Sequence, residues 1–369
     1  MKKVAAFIPS LAGGGAERGL VNLLKSMTAT DISWDLILAS KEGPYLDEVP
    51  SQVRLIDLKV KRVSQAIVPL ARYLRREQPS ILIAYMSHTS LAAIAARKLA
   101  LSKTRLILVE QQSMTSRPLL FRARFVPPLM RQFYPSAEAV VVVSQGMVAE
   151  MIDELRLSKD KIHAIANPVV GSDLLAQASE KADHPWLQDT ESIPVFLNVG
   201  RLHPQKNQAL LLNAFAAVRA KTQARLIILG EGEERSPLEN LAKQLGIADD
   251  VSMPGFVDNP YSYMSKATAF VLSSNWEGLP TVLIEALACG CPVISTDCPT
   301  GPSEILCEGE YGRLVPMEDM AKLSQAMSAA IQDAVDREIL VSRAMHFSAQ
   351  KVSADFIELF NKVGALSQR

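Results

Sequence analysis

The sequence lacks any apolar run long enough to cross a bilayer, so a membrane-spanning protein is not expected. Aromatic residues make up only 6% of it, and no basic groove pattern with stacking aromatics is visible, which argues against a nucleic-acid partner. The apolar start at Val4–Ile8 is short and leads directly into a glycine turn. That arrangement favours a first strand over an export signal and predicts a cytoplasmic protein.

Metal-binding signatures are missing as well. The four cysteines, Cys289, Cys291, Cys298 and Cys307, form no C-x2-C pair and have no histidine nearby. We expect reduced, mostly buried thiols, as a cytosolic setting requires. The sequence also has no Asp-x-Asp pattern through which a metal could bridge phosphates, so no metal and no cofactor are predicted.

The net charge of zero hides an asymmetry, because residues 1–185 carry a charge of +7 and the remaining residues −7. A basic first half suggests an anionic partner. The cations concentrate at 54–76 and 113–131, and in the second stretch apolar side chains lie between the arginines. We predict peripheral contact with an anionic membrane through both stretches; an ordinary helix with its apolar stripe in the core is the alternative for the second.

Short apolar strands alternate with helical patterns along the whole chain, which predicts parallel sheets covered by helices on both faces. In the first half we place strands at Val4–Ile8, Trp34–Ala39, Ile81–Tyr85, Leu106–Val109 and Ala139–Val143. In the second half we place them at Val195–Val199, Leu226–Leu229, Val251–Met253, Ala269–Leu272 and Pro292–Ser295.

The alternation restarts after a polar, poorly periodic stretch, which predicts two domains. We expect a first domain at 1–170, a linker at 171–192 and a second domain at 193–349, with a last helix at about 350–369 packing back on the first domain. Both domains are expected to be doubly wound and Rossmann-like and to face a common cleft. Ligands bind such sheets beyond the carboxyl ends of the strands, so the strand-to-helix loops should carry the site.

The first such loop contains three glycines, Gly13–Gly15. Glycine lets the backbone approach a ligand closely, and the following helix offers unpaired N–H groups. Ala16 breaks the G-x-G-x-x-G pattern of dinucleotide-binding turns, so a nicotinamide cofactor is disfavoured.

A second loop, Gly200–Asn207, follows the first strand of the second domain. Arg201 and Lys206 are five residues apart across this turn, so both cationic groups can reach one diphosphate. A guanidinium fork and an ammonium group would neutralise charge on a leaving phosphate. The alternative is a pair of solvated surface cations.

A third segment carries two glutamates, Glu277 in a Gly/Pro loop and Glu285 in an apolar helix that opens near Thr281. The helix N-terminus favours a phosphate, and the two carboxylates could reach a sugar and a ribose on either side of it. On spacing alone, a surface glutamate and a solvated helix glutamate explain the pattern equally well.

Together these motifs resemble the retaining, GT-B-fold glycosyltransferases of family GT4. The matching elements are G-G-A-E-R at 14–18, G-R-L-x-x-x-K at 200–206, G-x-G at 230–232 and E-x7-E at 277–285. The phrases E-G-L-P-x-V-L-I-E-A-L-A-C-G and D-C-P-T-G-P-S-E-I look closest to members that extend oligosaccharides on polyprenyl diphosphate.

The resemblance implies a role for each matching residue. Arg201 and Lys206 would hold the donor diphosphate, Glu277 would bind sugar hydroxyls and Glu285 the ribose. The remaining donor contacts would come from Gly14, Gly15, Gly200, Gly230, Glu231, Val257, Gly278, Leu279, Pro280, Thr281 and Val282.

The chain departs from the family pattern on the acceptor side. Many members have a histidine after the fourth strand of the first domain, where this chain has Glu110. His88, at the end of an earlier strand, is a second candidate for contact with substrate. An isolated histidine or glutamate is otherwise structural or solvated.

The resemblance implies transfer of a sugar, with retention, from a UDP-HexNAc or UDP-hexose donor to a lipid-linked glycan at the inner face of the cytoplasmic membrane. It also suggests front-face attack in which the donor phosphate accepts the acceptor proton. A family member acting on a soluble acceptor and a catalytically inactive nucleotide- or glycan-binding module remain as alternatives.

Overall fold

The computed structural model describes residues 2–28, 30–113, 126–188 and 193–364. The chain divides into two compact units, Met1–Val169 with Phe347–Arg369, and Val170–His346. No helix within the described residues is both long and apolar enough to cross a membrane.

The first unit is built on a seven-stranded, fully parallel sheet in the order β3-β2-β1-β4-β5-β6-β7. Its strands are β1 Lys2–Ile8, β2 Ile32–Leu38, β3 Arg54–Asp57, β4 Ile81–Tyr85, β5 Arg105–Glu110, β6 Ala139–Val142 and β7 Ile162–Ala164. Its first helices are α1 Gly15–Ser26, α2 Ile67–Glu77, α3 Ser87–Ala100, α4 Val126–Phe133 and α5 Gly146–Leu155. The central strand β4 is buried along its whole length, as expected of a parallel strand covered on both faces.

The second unit has a six-stranded parallel sheet in the order β10-β9-β8-β11-β12-β13. Its strands are β8 Val195–Val199, β9 Arg225–Leu229, β10 Val251–Gly255, β11 Ala269–Leu272, β12 Val293–Thr296 and β13 Arg313–Val315. Its helices are α6 Ser172–Ala178, α7 Gln208–Arg219, α8 Arg235–Gln244, α9 Pro260–Met264, α10 Thr281–Ala288, α11 Pro302–Ile305, α12 Met320–Ala330 and α13 Arg337–Ala344. Both strand orders confirm the doubly wound α/β class.

The last helix, α14 Ala349–Lys362, belongs to the first unit. It buries Val352, Phe356 and Phe360 in the core that β1, β2 and α1 share. Trp34 of β2 packs against Phe360 with their ring centroids 6.3 Å apart. The segment 171–192, expected to be a linker, contains α6 and lies in the second unit.

An ionic network fixes the edge of the first sheet. Asp35 of β2 is buried and accepts hydrogen bonds from Arg54 Nε at 2.9 Å and Tyr73 Oη at 2.6 Å. Glu77 pairs with Arg54 at 2.9 Å and with Lys3 at 2.6 Å. The network therefore ties β3 and the end of α2 to β1 and β2.

Stability of this edge should depend on pH through Glu77. The hydrogen bond from Arg54, and then the one from Lys3, lower the pKa of Glu77 to about 2. A depressed carboxyl pKa stabilises the fold above the unfolded-state value of about 4.3 and loses that contribution as the pH falls towards 2. We expect Glu77→Gln to lower the melting temperature at pH 7. The difference in melting temperature between this variant and wild type should shrink progressively as the pH falls from 4.5 to 2.5. The control variant Asp47→Asn alters an exposed acid that has no ion pair among the described residues. An equal loss of melting temperature in this control would contradict the role given to the Glu77 ion pairs.

Candidate active site

The loop after β8 is held in place at both ends. Leu202 is fully buried, and its N–H donates to Glu231 O at 2.9 Å. Asn207 adopts a left-handed conformation, with φ of +47°, and its side chain accepts from Leu210 N to begin α7. These anchors place the intervening residues, including Lys206, beyond the carboxyl end of β8.

Lys206 and Glu277 form a direct ion pair, 71 positions apart in sequence, with Nζ 2.6 Å from Oε1. The two side chains are 17% and 8% exposed. Ser274 Oγ donates to the same Oε1 at 2.6 Å, whereas the contact to Oε2 is from Gln205 Nε2 at 3.5 Å. Oε1 is therefore occupied by two strong donors, and Oε2 is the oxygen that can accept a ligand hydroxyl.

Three more buried hydroxyl groups fix the backbone that carries this pair. Ser273 Oγ donates to Lys206 O at 2.8 Å, and Thr296 Oγ1 donates to Ser274 O at 2.7 Å. Thr300 Oγ1 donates to Glu277 O at 2.5 Å. Each hydroxyl satisfies a carbonyl in an irregular loop, so the loops keep one conformation without regular secondary structure.

Ser273 and Ser274 offer a matched test of these contacts, because both are fully buried and both donate one hydrogen bond. Each serine-to-alanine change should cost about 1 kcal/mol of stability. Only Ser274→Ala removes a donor from the Glu277 carboxylate, so we expect kcat/KM to fall about tenfold or more in that variant and to change little in Ser273→Ala. Steady-state kinetics with thermal melts measures both effects. Equal kinetic losses would show that both serines act only by holding the loop.

Arg201 is not a member of this ion pair. Its side chain is exposed and forms no ion pair with the described residues, while its carbonyl accepts from Gln208 Nε2 at 3.1 Å. The backbone is thus fixed and the guanidinium is accessible to an anion. Its predicted contact with a diphosphate stays a prediction.

The loops that begin at Gly200 and Gly230 in the second unit touch directly. Gly230 has φ of +132°, and a Cβ at this position would lie 2.1 Å from the carbonyl oxygen of Gly200. The neighbouring Glu231 is exposed and pairs with Arg235 at 2.7 Å. Val257 is half-buried after β10, next to an exposed aromatic residue. These predicted donor residues share the carboxyl edge of the sheet, although Glu231 is already paired.

The start of α10 is packed tightly. Residues 278–280 are buried, and a Cβ at Gly301 would lie 2.4 Å from the ring of Pro280. Thr281 and Val282 form the first turn, where helix N–H groups have no partner within the helix. Glu285 is 9% exposed. The sequence therefore predicted the position of the helix start correctly, and its amides are suited to an anion.

The cysteines beside this helix are free thiols. Burial raises the pKa of both Cys291 and Cys298 to about 12, so both stay protonated near neutral pH. Within the described ranges no three His, Cys, Asp or Glu side chains come together as a metal-binding group.

In the first unit, Gly14 caps α1 and Gly15 begins it. A Cβ on Gly14 would lie 2.3 Å from Glu17 Oε2, so the absence of a side chain lets Glu17 fold back over the turn. This loop lies at the carboxyl end of β1, where a doubly wound sheet binds its ligands.

Glu110 ends β5 and is only 2% exposed. It accepts hydrogen bonds from Ser87 Oγ at 2.8 Å and from Tyr134 Oη at 2.5 Å. Burial, together with the Glu110 carboxylate, raises the pKa of Tyr134 well above its ordinary value, so this phenol remains a donor. His88, next to Ser87, is exposed in the first turn of α3.

Two doubly wound units, with Lys206 and Glu277 beside a helix start, are the arrangement that the sequence analysis expected of a GT-B glycosyltransferase. The model for Glycosyl transferases group 1 matches residues 180–347, and the model for Glycosyltransferase Family 4 matches residues 13–170. The chain belongs to the glycosyltransferase family that these two models describe.

Two Campylobacter jejuni proteins align with almost the whole chain. One is N-acetylgalactosamine-N,N'-diacetylbacillosaminyl-diphospho-undecaprenol 4-alpha-N-acetylgalactosaminyltransferase, which is 29% identical over 97% of this chain and 99% of that protein. The other is GalNAc-alpha-(1->4)-GalNAc-alpha-(1->3)-diNAcBac-PP-undecaprenol alpha-1,4-N-acetyl-D-galactosaminyltransferase, which is 27% identical over 98% of this chain and 99% of that protein.

Solved structures show the same fold. Apo WaaB, a lipopolysaccharide outer core galactosyltransferase, has a TM-score of 0.76 and 20% identity, with coverage of 98% of this chain and 100% of that one. Anabaena HepE in complex with UDP has a TM-score of 0.79 and 18% identity, with the same coverage. These likenesses confirm the GT-B class, and at this identity they show the fold alone.

Sequence reasoning missed Ser274 and Gln205, which contact Glu277 directly. Ser274 stands just beyond the end of β11, so the rule that ligands bind at the carboxyl ends of strands was the signal that could have found it. Gln205 precedes Lys206 in a turn and carries no comparable signal.

Proposed function

We propose that this enzyme transfers a HexNAc or hexose from a UDP-sugar, with retention, to a polyprenyl-diphosphate-linked glycan. The donor part of this proposal is supported by one observation, the Lys206–Glu277 ion pair, in which a cation and a hydroxyl acceptor lie close to the start of α10. The acceptor class is supported by the two Campylobacter relatives, whose names specify undecaprenyl-diphosphate substrates. UDP is supported by its presence in the HepE complex.

On the donor side, Lys206 and Arg201 neutralise the diphosphate together with the first-turn amides of α10, so the proposal requires no metal. Lys206 has three N–H donors, and one of them is engaged by Glu277, which leaves two for phosphate oxygens. Glu277 Oε2 accepts a hydroxyl of the sugar, and Glu285 binds the ribose. Within the second unit, the contacts at 200, 230–231, 257 and 278–282 complete the donor site.

The transfer step breaks the bond between the anomeric carbon and the β-phosphate oxygen and forms a bond from that carbon to the acceptor oxygen. Attack occurs on the same face as departure, and the released phosphate oxygen takes the proton of the acceptor hydroxyl. Negative charge on the departing UDP develops in the transition state. Lys206 therefore stabilises the transition state more than the bound donor, and this difference lowers the barrier.

On the acceptor side, we assign His88 to substrate contact and Glu110 to positioning. His88 is exposed, whereas Glu110 is buried and accepts hydrogen bonds at both carboxylate oxygens. Glu110 would act through Ser87, the residue directly before His88.

A lipid-linked acceptor is anchored in a membrane, so the enzyme must act at a membrane surface. We propose that this surface is the inner face of the cytoplasmic membrane. In the stretch 54–76, Arg54 is engaged by Asp35 and Glu77, but Arg72 is exposed and accessible to lipid phosphate. Most of the stretch 113–131 falls at 114–125, outside the described residues.

The decisive experiment is a panel of UDP- and GDP-sugars, each offered with polyprenyl-diphosphate glycans or with soluble glycans, with released nucleotide and product anomeric configuration as readouts. We expect UDP release that depends on the lipid-linked acceptor and an α-linked product. Transfer to soluble glycans alone would favour the alternative acceptor class. Donor binding with no turnover on any acceptor would favour an inactive binding module.

A further inference from the structure

The strand order of the first sheet reverses between β1 and β4. From β1 the chain continues outwards to β2 and β3, whereas β4 begins the run that continues through β5 and β6 to β7. Ligands of doubly wound sheets bind at such a switch point, beyond the carboxyl ends of the strands. The polar residues that follow β4 and β5 are therefore well placed to meet a substrate.

Gln111 is the first residue after β5. Successive side chains of a strand point to opposite faces of the sheet. Ile107 and Val109 lie in the core that α1 and α14 cover. Glu110 points to the other side, where it accepts a hydrogen bond from Ser87 at the start of α3. Gln111 therefore extends the α1 side of the sheet beyond its carboxyl edge.

Asn167 reaches Gln111 from the segment that follows β7. This segment lies against α1, where a Cβ at Gly19 would be 3.2 Å from Asn167 Oδ1. Asn22, also in α1, donates from Nδ2 to Pro168 O at 3.0 Å. Packing and this hydrogen bond fix the segment on α1, and Asn167 is left only 7% exposed.

The side-chain amides of Gln111 and Asn167 exchange two hydrogen bonds. Gln111 Nε2 donates to Asn167 Oδ1 at 3.1 Å, and Asn167 Nδ2 donates to Gln111 Oε1 at 2.7 Å. A primary amide has two N–H donors and two acceptor lone pairs, so the Gln111 amide keeps one of each after this exchange. Because Gln111 is half-buried and Asn167 is buried, Gln111 is the member of the pair that a ligand can reach.

The remaining donor and acceptor of the Gln111 amide match a sugar hydroxyl. A hydroxyl group both donates and accepts, whereas ionised phosphate oxygens only accept and pair best with cations. The two bonds to Asn167 hold the amide plane before a ligand arrives, which lowers the entropic cost of binding.

We infer that Gln111 contacts a hydroxyl group of the acceptor sugar and that Asn167 is its positioning residue. The inference rests on the proposed function, because it takes the first unit as the acceptor side. It makes the amide pair a determinant of acceptor choice, since a sugar without that hydroxyl would leave the ordered amide unpaired.

Steady-state kinetics with the acceptor and the UDP-sugar varied separately tests the contact. Gln111→Leu keeps the approximate size of the side chain and removes its hydrogen bonds, so KM for the acceptor should rise about tenfold or more while KM for the UDP-sugar changes less than about twofold. Gln112→Leu alters the exposed neighbour and should behave like wild type. A rise in KM for the UDP-sugar alone would assign Gln111 to the donor and overturn the inference.

A second pair of variants separates positioning from loop stability. Asn22→Ala and Asn167→Ala each remove a hydrogen bond that holds the segment after β7, so both should lower the melting temperature. Only Asn167→Ala releases the Gln111 amide, so only this variant should raise KM for the acceptor, by roughly three- to tenfold. Equal rises in both variants would show that Asn167 acts only by holding the segment.

Deoxygenated acceptors give the decisive readout. In a series that replaces each free hydroxyl of the terminal sugar by hydrogen, apart from the attacking one, wild type should lose about tenfold or more in kcat/KM with one analogue. Gln111→Leu should lose less than about twofold with the same analogue, because the partner of that hydroxyl is already missing. Additive losses would place Gln111 away from the acceptor sugar.

These outcomes are separable from the proposed function. Transfer by wild type to soluble glycans alone would refute the lipid-linked acceptor, and the same series on those glycans would still test Gln111. If no acceptor supports turnover, saturation-transfer NMR with methyl hexosides and methyl N-acetylhexosaminides measures sugar binding directly. We then expect a signal in wild type that Gln112→Leu retains and Gln111→Leu abolishes. No signal in wild type, or an equal signal in all three proteins, would overturn the inference.

Discussion

Replacement of Lys206 by alanine is expected to lower kcat/KM for sugar transfer by roughly 10²- to 10³-fold. In the proposed mechanism, the change removes a cation from the leaving phosphate. It also leaves the buried Glu277 side chain, only 8% exposed, without its ionic partner. Initial rates of UDP release with a lipid-linked acceptor measure the loss.

Two comparisons make this result specific. Lys221→Ala removes an exposed lysine from the same unit and should leave the rate unchanged. A double-mutant cycle with Glu277→Ala should be strongly non-additive, because the side chains are 2.6 Å apart and each single change disrupts the same pair. Near-normal turnover in Lys206→Ala would remove this residue from the donor site, and additive effects would show that the pair is not a unit.

The direct contact of Lys206 with Glu277 illustrates what the sequence could and could not predict. Each residue was placed in the site by its own motif and by its position after a strand. Their ion pair could not be read from either motif, because it depends on how far the two loops extend beyond β8 and β11. The buried serine and threonine hydroxyls that hold those loops had no distinguishing pattern.

The sheets were predicted well at their centres and incompletely at their edges. Three strands were missed, namely β3, β7 and β13, and each lies at a sheet edge. They contain four, three and three residues and are only partly buried, so none has the continuous apolar run that marks a central parallel strand.

A similar cause hid the helix at Ser172–Ala178. Leu174 is its buried residue, so a polar surface dominates its composition. Its attachment is a hydrogen bond from Asn259 Nδ2 to Gln177 O at 2.9 Å, which no local pattern reveals. Exposure of apolar residues was equally hard to predict. Leu99 and Leu101 are exposed, but helical periodicity alone does not identify which apolar residues face solvent.

A graded set of glycine-to-alanine changes should separate backbone strain from loop contact in the second unit. Gly171 is extended, and no atom lies within 4 Å of the place that a new Cβ would take, so Gly171→Ala should change the free energy of unfolding by only a few tenths of a kcal/mol. Gly246 has the same open surroundings but φ of +69°, so Gly246→Ala should cost about 1 kcal/mol.

Gly230→Ala combines both penalties, since φ is +132° and the new Cβ would lie 2.1 Å from Gly200 O. Neither backbone can rotate away as a flexible side chain could, so we expect a loss of roughly 2 to 5 kcal/mol. Thermal melts should therefore rank the variants as 171, 246 and 230 in order of increasing damage.

The loss of activity should depend on contact between the two loops rather than on backbone strain at the substituted glycine. The Cβ at 230 displaces the loop that begins at Gly200 and carries Lys206, so transfer should fall in Gly230→Ala even at temperatures where the variant is folded. Gly246→Ala strains the end of α8 and should retain its rate. If the two variants lose stability and activity equally, the loops do not touch as described, and the placement of Lys206 would rest on its ion pair with Glu277 alone.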